Sequence, residues 1–400
     1  MENKNNNQSR IDYGIILSVL LLAMIGIISL YSTSVMIQEA SIRLPVMQTV
    51  WYIIGVAVAA VIMMFDSEQL WKLTNYLYWL GILALALTLI FYDRPLAVVS
   101  GAKSWIKIPG LNITFQTSEF AKIPYILMLS KTVTLHNSRY NERTVRSDFI
   151  LLGKLTLWSI VPFILIMRQN DLGTTLVYLA ILVGVVLLSG IQWKILLPIA
   201  IVLFVIGAGT IFMVVYNREF LKNVFGFQDY QFLRIDTWLD PHHDTTASSY
   251  QITQAFKAIG SGEMFGKGLG ISDVYVPVRE SDMIFATIGE NFGFAGGSFL
   301  IFIYFVLVYN MIKVVYDTKN EFYAYIAAGV IMMIVFHVLE NIGMNIGLLP
   351  VTGIPLPFVS QGGSALLGNM MGIGLIMSMR FHHRSYMFSG EGEKFHSDVD

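Results

Sequence analysis

The sequence predicts an all-α polytopic membrane protein, and its composition and hydropathy pattern lead to that class. Of the 400 residues, 55% are apolar and only 13% are charged, whereas soluble domains average about 45–50% and about 25%. The mean hydropathy is +0.63. Ten apolar runs are also long enough to cross the hydrocarbon core of a bilayer, which takes about 17–25 helical residues. We therefore expect ten transmembrane helices.

The predicted spans follow one another through short polar connections, except after the seventh. They are residues 13–33, 47–65, 73–92, 117–134, 149–167, 172–189, 193–216, 283–315, 322–345 and 363–380. The first run has a polar flank without a small-residue cleavage site, so we interpret it as a retained span and not a signal peptide. The eighth run is longer than one span requires. Its beginning, MIFATIGENFGFAGG, predicts a tilted or broken entry into the bilayer.

The long connection, residues 217–282, separates the seventh span from the eighth. Loops of this length are usually functional or disordered. This one contains Trp238, Tyr250 and Phe256 among its polar residues, so we predict that it is folded. Residues 1–384 then form one membrane domain, and residues 385–400 form a short polar tail.

Lysine and arginine are concentrated on alternate connections. With a cytoplasmic N-terminus, the inside segments contain most of these cations, for example Arg139, Arg143 and Arg146 between the fourth and fifth spans. The short outside loops contain fewer. By the positive-inside rule, we expect both termini in the cytoplasm and the long loop outside the cell.

Several functional classes are excluded by composition. The chain has no cysteine, so disulfides, thiol catalysis and thiolate metal sites are absent. Its formal net charge is −1, which argues against nucleic acid as a partner.

Ionisable residues inside the predicted spans are candidates for function, because each costs about 2.5–3.5 kcal/mol at a helix centre without a partner. Glu119 and Lys122 are three residues apart, so they lie on one helical face. They either neutralise each other or face a water-filled cavity. Asp171 starts a span, where it either caps the helix or serves the site. His337 and Glu340 have the same spacing and could satisfy each other.

Other candidates flank the predicted outer surface. Asp282 lies where the long loop meets the eighth span, and there it could act as a helix cap. The positive end of the helix dipole would keep it ionised, as a general base requires. Trp105 lies between Lys103 and Lys107 on a short loop. This trio is either an interfacial anchor or a site for a sugar diphosphate, with cations for the anion.

Glycines recur in the long loop in the stretch AIGSGEMFGKGLG, and Glu290 lies in GENFGF, close to the end of the loop. Glycine permits tight turns and close backbone approach. As a nucleotide fingerprint the stretch is weak, because it does not follow a strand in a βαβ unit.

Four stretches resemble the SEDS family of bacterial shape, division and sporulation proteins, which includes RodA, FtsW and SpoVE. The stretches are GAKSWIKIPGLNITFQTSEFAK at 101–122, QNDLGTTL at 169–176, YQITQAFKAIGSGEMFGKGLG at 250–270 and LLPVTGIPLPFVSQGGSALLGNMMGIGLIMS at 348–378. The resemblance covers most of the hydrophobic chain. The last stretch is more similar to the RodA branch than to FtsW.

The resemblance implies a ten-span SEDS fold and a peptidoglycan glycosyltransferase that polymerises lipid II at the outer face of the bacterial cell membrane. It also implies two further partners, a class B penicillin-binding protein and membrane lipid. The family's essential aspartate matches Asp282 in PVRESDM, although serine and methionine replace the family's threonine and phenylalanine. The family's tryptophan, glutamate and lysine match Trp105, Glu119 and Lys122. Two prolines of the family are replaced here, in QTSE and QNDLG.

We therefore predict Asp282 as the catalytic base. Some substrate-binding residues are predicted from their position in the chain and others from the resemblance. They are Lys103, Trp105, Lys107, Glu119, Lys122, Asp171 and Ser360. No organic cofactor is expected, and a divalent cation, Mg²⁺ or Mn²⁺, is compatible with a diphosphate substrate. Two alternatives remain: a lipid II flippase that uses the intramembrane charges, and a scaffold that only recruits the penicillin-binding protein.

Overall fold

We describe the chain from a computed structural model, over residues 10–36, 42–108, 110, 113–140, 142–225, 229–241, 247–318 and 320–388. Within these ranges it forms fourteen helices and one antiparallel two-stranded hairpin. Residues 1–9 and most of the predicted tail, from residue 389 onward, lie outside the described residues.

Helices and strands are numbered in chain order. They are α1 Tyr13–Met36, α2 Arg43–Met63, α3 Ser67–Phe91, α4 Arg94–Ser100, β1 Trp105–Ile108, β2 Ile113–Gln116, α5 Thr117–Arg139, α6 Val145–Arg168, α7 Leu172–Leu188, α8 Trp193–Tyr216, α9 Arg218–Phe225, α10 Asp229–Leu239, α11 Ala247–Ser261, α12 Ile284–Thr318, α13 Glu321–Asn345 and α14 Gly363–Phe388.

Each of the ten predicted spans coincides with one long helix. Eight of these helices are long and apolar enough to cross a membrane. The other two are α7, which has only 17 residues, and α5, whose sequence includes Glu119, Lys122 and Lys131. The chain is a multi-pass membrane protein, and the count of ten spans stays a prediction.

The helices pack around a centre made by α5, α13 and α14. Helix α2 packs on α14, α3 on α5, α7 on α13, and α1 on α12. Ile126, Ile334 and Ile376 are fully buried there. Helix α8 differs, because among its residues only Ile195 and Val214 are buried and its main contacts are with α9 and α10. The core therefore lies around α5, with α8 at the periphery.

The long connection is folded, as the aromatic residues in it predicted. It contains α9, α10 and α11. The Trp238 indole Nε1 donates to the Gly347 carbonyl at 3.1 Å, and the Phe256 ring also lies against Gly347. Ala255 and Ala258 of α11 pack with residues at the start of α12. The loop is thereby attached to the ends of α12 and α13.

Helix α12 is broken near its beginning, as the length of its apolar run predicted. Gly293 has φ 64° and ψ −162°, a conformation that glycine adopts readily. The loop fills the break: the carbonyls of Glu263 and Met264 accept from α12 amides at 2.9 and 3.0 Å. The amides of Lys267 and Gly268 donate to α12 carbonyls at 3.0 and 3.1 Å. Four hydrogen bonds therefore compensate for those that the break removes.

The glycine-rich stretch packs directly against the broken helix. A Cβ at Gly262 would lie 2.0 Å from the Gly289 carbonyl oxygen, and one at Gly266 would lie 2.1 Å from the Asn291 oxygen. Both distances are shorter than any van der Waals contact permits. Gly262 and Gly266 are required for this close approach, which explains these two glycines without a nucleotide.

Candidate functional site at the long-loop end of the bundle

Asp282 lies in the turn that precedes α12, and the main chain of that turn is fixed at three successive carbonyls. The Glu280 carbonyl accepts from the Gln361 amide at 2.9 Å. The Ser281 carbonyl accepts from the Ser360 hydroxyl at 2.6 Å. The Asp282 carbonyl accepts from the side-chain amides of Asn341 and Asn345 at 2.8 and 3.1 Å. Helix α13 and the segment before α14 therefore set the position of this aspartate.

The carboxylate of Asp282 faces the neighbouring loop rather than a cation. A Cβ at Gly353, whose φ is +77°, would lie 3.2 Å from the Asp282 Oδ2 atom. Among the described residues, the salt bridges within 4.0 Å do not include Asp282. The base candidate is therefore held against main chain and has no directly paired counter-ion there.

Burial raises the pKa of Asp282 to about 7, from an ordinary value of 3.8. The charge of Glu280 adds to this rise, whereas the hydrogen bond with Ser281 and the charge of Arg234 oppose it. The expectation that the helix dipole keeps this group fully ionised is wrong, because desolvation of the carboxylate outweighs the dipole. Asp282 also lies two residues ahead of the first residue of α12, whereas a helix cap directly precedes that residue.

Ser360 serves the loop in this structure. Its hydroxyl accepts from the Leu356 amide at 2.8 Å and donates to the Ser281 carbonyl. Its own carbonyl accepts from the Gln48 side chain at 3.1 Å. These contacts join α2, the segment before α14 and the Asp282 turn. A contact of Ser360 with substrate stays a prediction.

Trp105, Lys103 and Lys107 lie at or beside the β1–β2 hairpin, where the sequence predicts a short loop. Trp105 pairs with Gln116 across the two strands, and the Lys103 Nζ lies 5.5 Å from the centre of the Tyr92 ring. Lys103 and Lys107 are both exposed. The two cations are free to meet an anion from solvent, and Trp105 is half-buried beside them.

The hairpin and the Asp282 turn are attached to the same short segment. The Gln116 amide donates to the Ser364 hydroxyl at 3.1 Å, and the Gln361 amide binds the Glu280 carbonyl. Only two residues lie between Gln361 and Ser364. The predicted outer-surface residues are therefore brought to one end of the bundle.

Asp171 caps α7, which confirms the structural interpretation of this residue. Its Oδ1 accepts from the Thr174 amide at 3.0 Å, and its Oδ2 accepts from the Gln116 side chain at 2.9 Å. Gln116 was not predicted, and it connects the cap to the hairpin. Any contact of Asp171 with substrate stays a prediction.

Glu119 and Lys122 form a buried ion pair, with the Lys122 Nζ 2.7 Å from the Glu119 Oε1. His337 completes the cluster, since its Nε2 lies 3.2 Å from the same Nζ. The His337 Nδ1 lies 2.6 Å from the Met333 carbonyl, an acceptor, so Nδ1 carries the proton and Nε2 accepts from the lysine. The prediction that His337 pairs with Glu340 is wrong, because the ring turns toward α5.

The buried pair is 4% exposed at Glu119 and 1% at Lys122. This supports the self-neutralising interpretation over an open cavity in this conformation. A direct contact of either residue with substrate stays a prediction.

Glu290 is the centre of a second buried charged cluster, whose partners the sequence did not reveal. Its carboxylate lies 3.0 Å from the Arg279 Nη2 and 3.4 Å from the Lys267 Nζ. It also accepts from the Ser272 hydroxyl at 2.8 Å and the Asp273 amide at 3.2 Å. One carboxylate thus ties three points of the long loop to the first part of α12.

No group of three or more histidine, aspartate or glutamate side chains in the described part of the chain is arranged to hold a metal ion. The candidate site therefore offers single carboxylates and exposed lysines. The expectation of a divalent cation remains a prediction.

Comparison with known proteins gives the family. The model of the FtsW, RodA and SpoVE family, described as cell cycle protein, matches residues 13–385. The chain belongs to this family. It is 29% identical over 404 residues to the probable peptidoglycan glycosyltransferase FtsW of Hydrogenovibrio crunogenus, covering 96% of each protein. It is 29% identical over 435 residues to the peptidoglycan glycosyltransferase RodA of Treponema pallidum, covering 93% and 98%.

Solved structures share the fold. A chain of a peptidoglycan synthase complex that coordinates polymerization and crosslinking matches with a TM-score of 0.73 at 24% identity, over 94% of this chain and 98% of that chain. Relatives named FtsW and RodA have equal identity to this chain. Assignment of this SEDS protein to the RodA branch therefore stays a prediction.

The site residues that sequence reasoning missed are the uncharged Gln116, Asn341 and Asn345, and the cation Arg279. Arg279 lies in the long loop and its partner Glu290 in α12, so no helical spacing links the two. Asn341 and Asn345 are one helical turn apart in a mostly apolar helix, and that spacing was the available signal.

Proposed function

We propose that the chain is a peptidoglycan glycosyltransferase that polymerises lipid II at the outer face of the bacterial cell membrane. Family membership supports the reaction class, since relatives that cover nearly the whole chain carry this name. The single observation that carries the proposal further is the carboxylate of Asp282, which is fixed through its main chain and whose pKa is raised to about 7.

In the proposed reaction the 4-hydroxyl of an acceptor disaccharide attacks the anomeric carbon of a lipid-linked donor. The new bond forms as the bond to the undecaprenyl pyrophosphate breaks, and Asp282 accepts the hydroxyl proton. An α-linked donor that gives a β-1,4 bond requires one displacement with inversion, so a single base suffices. A base with a pKa near the working pH combines a large ionised fraction with useful basicity.

The diphosphate leaving group needs positive charge, and Lys103 and Lys107 are exposed at the same end of the bundle. Ammonium groups bind phosphate as point charges. Trp105 supplies an aromatic face for a sugar ring. A divalent cation bound to the diphosphate would add further positive charge to that of these lysines.

The proposed orientation places both termini in the cytoplasm and the 217–282 connection outside. The concentration of lysine and arginine on alternate connections supports it. A class B penicillin-binding protein is the proposed partner, because strands that are polymerised outside the membrane must also be crosslinked. Lipid II and membrane lipid are the proposed small partners.

The test is polymerisation of lipid II by the purified protein in liposomes, with and without a class B penicillin-binding protein. Wild type is compared with Asp282→Asn, which is close to isosteric and removes the base. The matched control is Asp273→Asn, because Asp273 lies on the same loop but is exposed and paired with Lys267 at 2.8 Å. Loss of a general base lowers the rate by about 10²–10⁴-fold, whereas the control should retain its rate.

Glycan strands from wild type and from Asp273→Asn, but not from Asp282→Asn, support the proposal. Equal turnover by Asp282→Asn would overturn the base assignment. If neither wild type nor the variants make strands, and wild type moves labelled lipid II between leaflets, the chain is a transporter.

A further inference from the structure

Two asparagine side chains converge on the main chain of Asp282. The Asn341 Nδ2 donates to the Asp282 carbonyl at 2.8 Å, and the Asn345 Nδ2 donates to the same oxygen at 3.1 Å. The Asn341 amide also donates to the Ile354 carbonyl at 2.8 Å. Both side chains are fully buried. One amide therefore bridges the Asp282 turn and the residue next to Gly353, against which the Asp282 carboxylate lies.

The other ends of these two amides are left without partners. Within the described residues, neither the Asn341 Oδ1 nor the Asn345 Oδ1 has a hydrogen-bond partner. A buried polar atom without a partner is destabilising, so each amide supplies its donors at some cost to stability. What they do supply is two donors, aimed at one carbonyl.

The geometry of a general base matters on a small scale, since displacement by about 1 Å can cost about 10²-fold in rate. Among the described residues the Asp282 carboxylate has no salt bridge to orient it, so its placement depends on its main chain and on its hydrogen bond with Ser281. Resting on the proposed function, we infer that Asn341 and Asn345 are positioning residues, which hold the Asp282 main chain against the Gly353 segment. Asn341 has the larger role because it alone of the two also binds Ile354.

The experiment uses the full chain with Asn341→Ala, Asn345→Ala and both together. The matched control is Asn291→Ala. Asn291 is also buried, its Oδ1 is also without a partner among the described residues, and its Nδ2 donates only within its own helix, to Thr287 at 2.8 Å. Thermal unfolding of all four variants gives the structural cost of removing a buried asparagine at each position.

The first readout is lipid II polymerisation with kcat and KM measured separately. We expect Asn341→Ala to lower kcat by about tenfold or more with little change in KM, because binding is retained and the base is displaced. Asn345→Ala should have a smaller effect. The kcat of the double variant should fall by more than the product of the two single-variant reductions. The reason is that each amide partly replaces the other as donor to the Asp282 carbonyl. Asn291→Ala should keep its kcat.

The second readout does not require activity. Carbodiimide and glycine methyl ester label protonated, accessible carboxyl groups, and peptide mass spectrometry reports the labelling of Asp282 as a function of pH. We expect the pH midpoint of Asp282 labelling to shift in Asn341→Ala and to equal the wild-type midpoint in Asn291→Ala. Unchanged labelling and unchanged kcat in Asn341→Ala would overturn the inference. If wild type makes no strands at all, the proposed function fails, while the labelling comparison still decides whether the asparagines position Asp282.

Discussion

The two carboxylates Glu119 and Asp282 are treated differently by the fold. Glu119 is buried in the bundle with an ammonium at 2.7 Å, and a neutral imidazole lies on the other side of that ammonium. Asp282 is held through its main-chain carbonyl and has no salt bridge among the described residues. Burial without a paired cation raises the pKa of a carboxyl, and the proposed proton transfer needs a group of that kind. The burial of Glu119 is instead compensated by the neighbouring ammonium of Lys122.

The largest effect that tests this contrast is on stability. Lys122→Met leaves Glu119 buried without its cation, and removal of one partner of a buried pair costs about 3–5 kcal/mol. Asp282→Asn, in contrast, removes a desolvated charge and should leave the unfolding temperature unchanged or raise it. Thermal unfolding of the purified protein in detergent measures both variants. The double variant Glu119→Gln with Lys122→Met should recover much of the loss, because no charge is then stranded.

If Lys122→Met is as stable as wild type, water reaches Glu119. The open-cavity interpretation of the pair would then be preferred over self-neutralisation.

The second prediction tests whether the glycine-rich stretch serves packing. Gly266→Ala places a Cβ 2.1 Å from the Asn291 oxygen at a residue with φ +81°, so the loop must leave the break in α12. We expect a loss of stability of at least about 1–3 kcal/mol, with a parallel loss of activity. Gly260→Ala is the control, because a Cβ there meets nothing within 4 Å and alanine is the better helix former. Equal behaviour of the two variants would contradict the packing explanation.

The third prediction concerns pH. Because the pKa of Asp282 is raised to about 7 and a base must be deprotonated, the polymerisation rate should fall as pH decreases below 7, by about tenfold per unit. The folded state binds this proton more tightly than the unfolded state, whose pKa lies near the ordinary 3.8. The Asp282 carboxyl therefore contributes stability at low pH, and this contribution is lost as pH rises through 7.

Rate and unfolding temperature measured from pH 5 to pH 9 check both signs. Asp282→Asn should lack this contribution to the pH dependence of stability. An acid limb near pH 4 in the wild-type rate would show that Asp282 is not desolvated when it acts.

The sequence predicted the long helices well, because each apolar run is a local signal of about one span. It also predicted the break in α12, since the run is too long and contains Gly293. It missed α4 and the β1–β2 hairpin, which are short and carry no strong periodicity. Helix existence depends on local composition, and in this chain the composition is unambiguous.

The partners in the site could not be predicted in the same way. Lys122 and His337 are 215 residues apart, and Asp282 and Asn341 are 59 apart. Only the packing of α13 on α5 and against the long loop brings them together. The helical spacing therefore suggested Glu340 as the partner of His337, whereas the ring faces another helix. Asp282 itself was predicted because of the family motif and its place at the end of the long loop.

The smallest expected effect separates a cap from a binding residue at Asp171. Asparagine caps helices about as well as aspartate, whereas alanine costs about 0.5–2 kcal/mol. If Asp171 acts only through its contacts with Thr174 and Gln116, Asp171→Asn should keep both stability and polymerisation, and Asp171→Ala should lose about 1 kcal/mol of stability. Unfolding temperature and initial polymerisation rate are measured on the same preparations. Loss of rate in Asp171→Asn at unchanged stability would instead mean that the charge of Asp171 acts on substrate, which would place it with Asp282 rather than with Glu119.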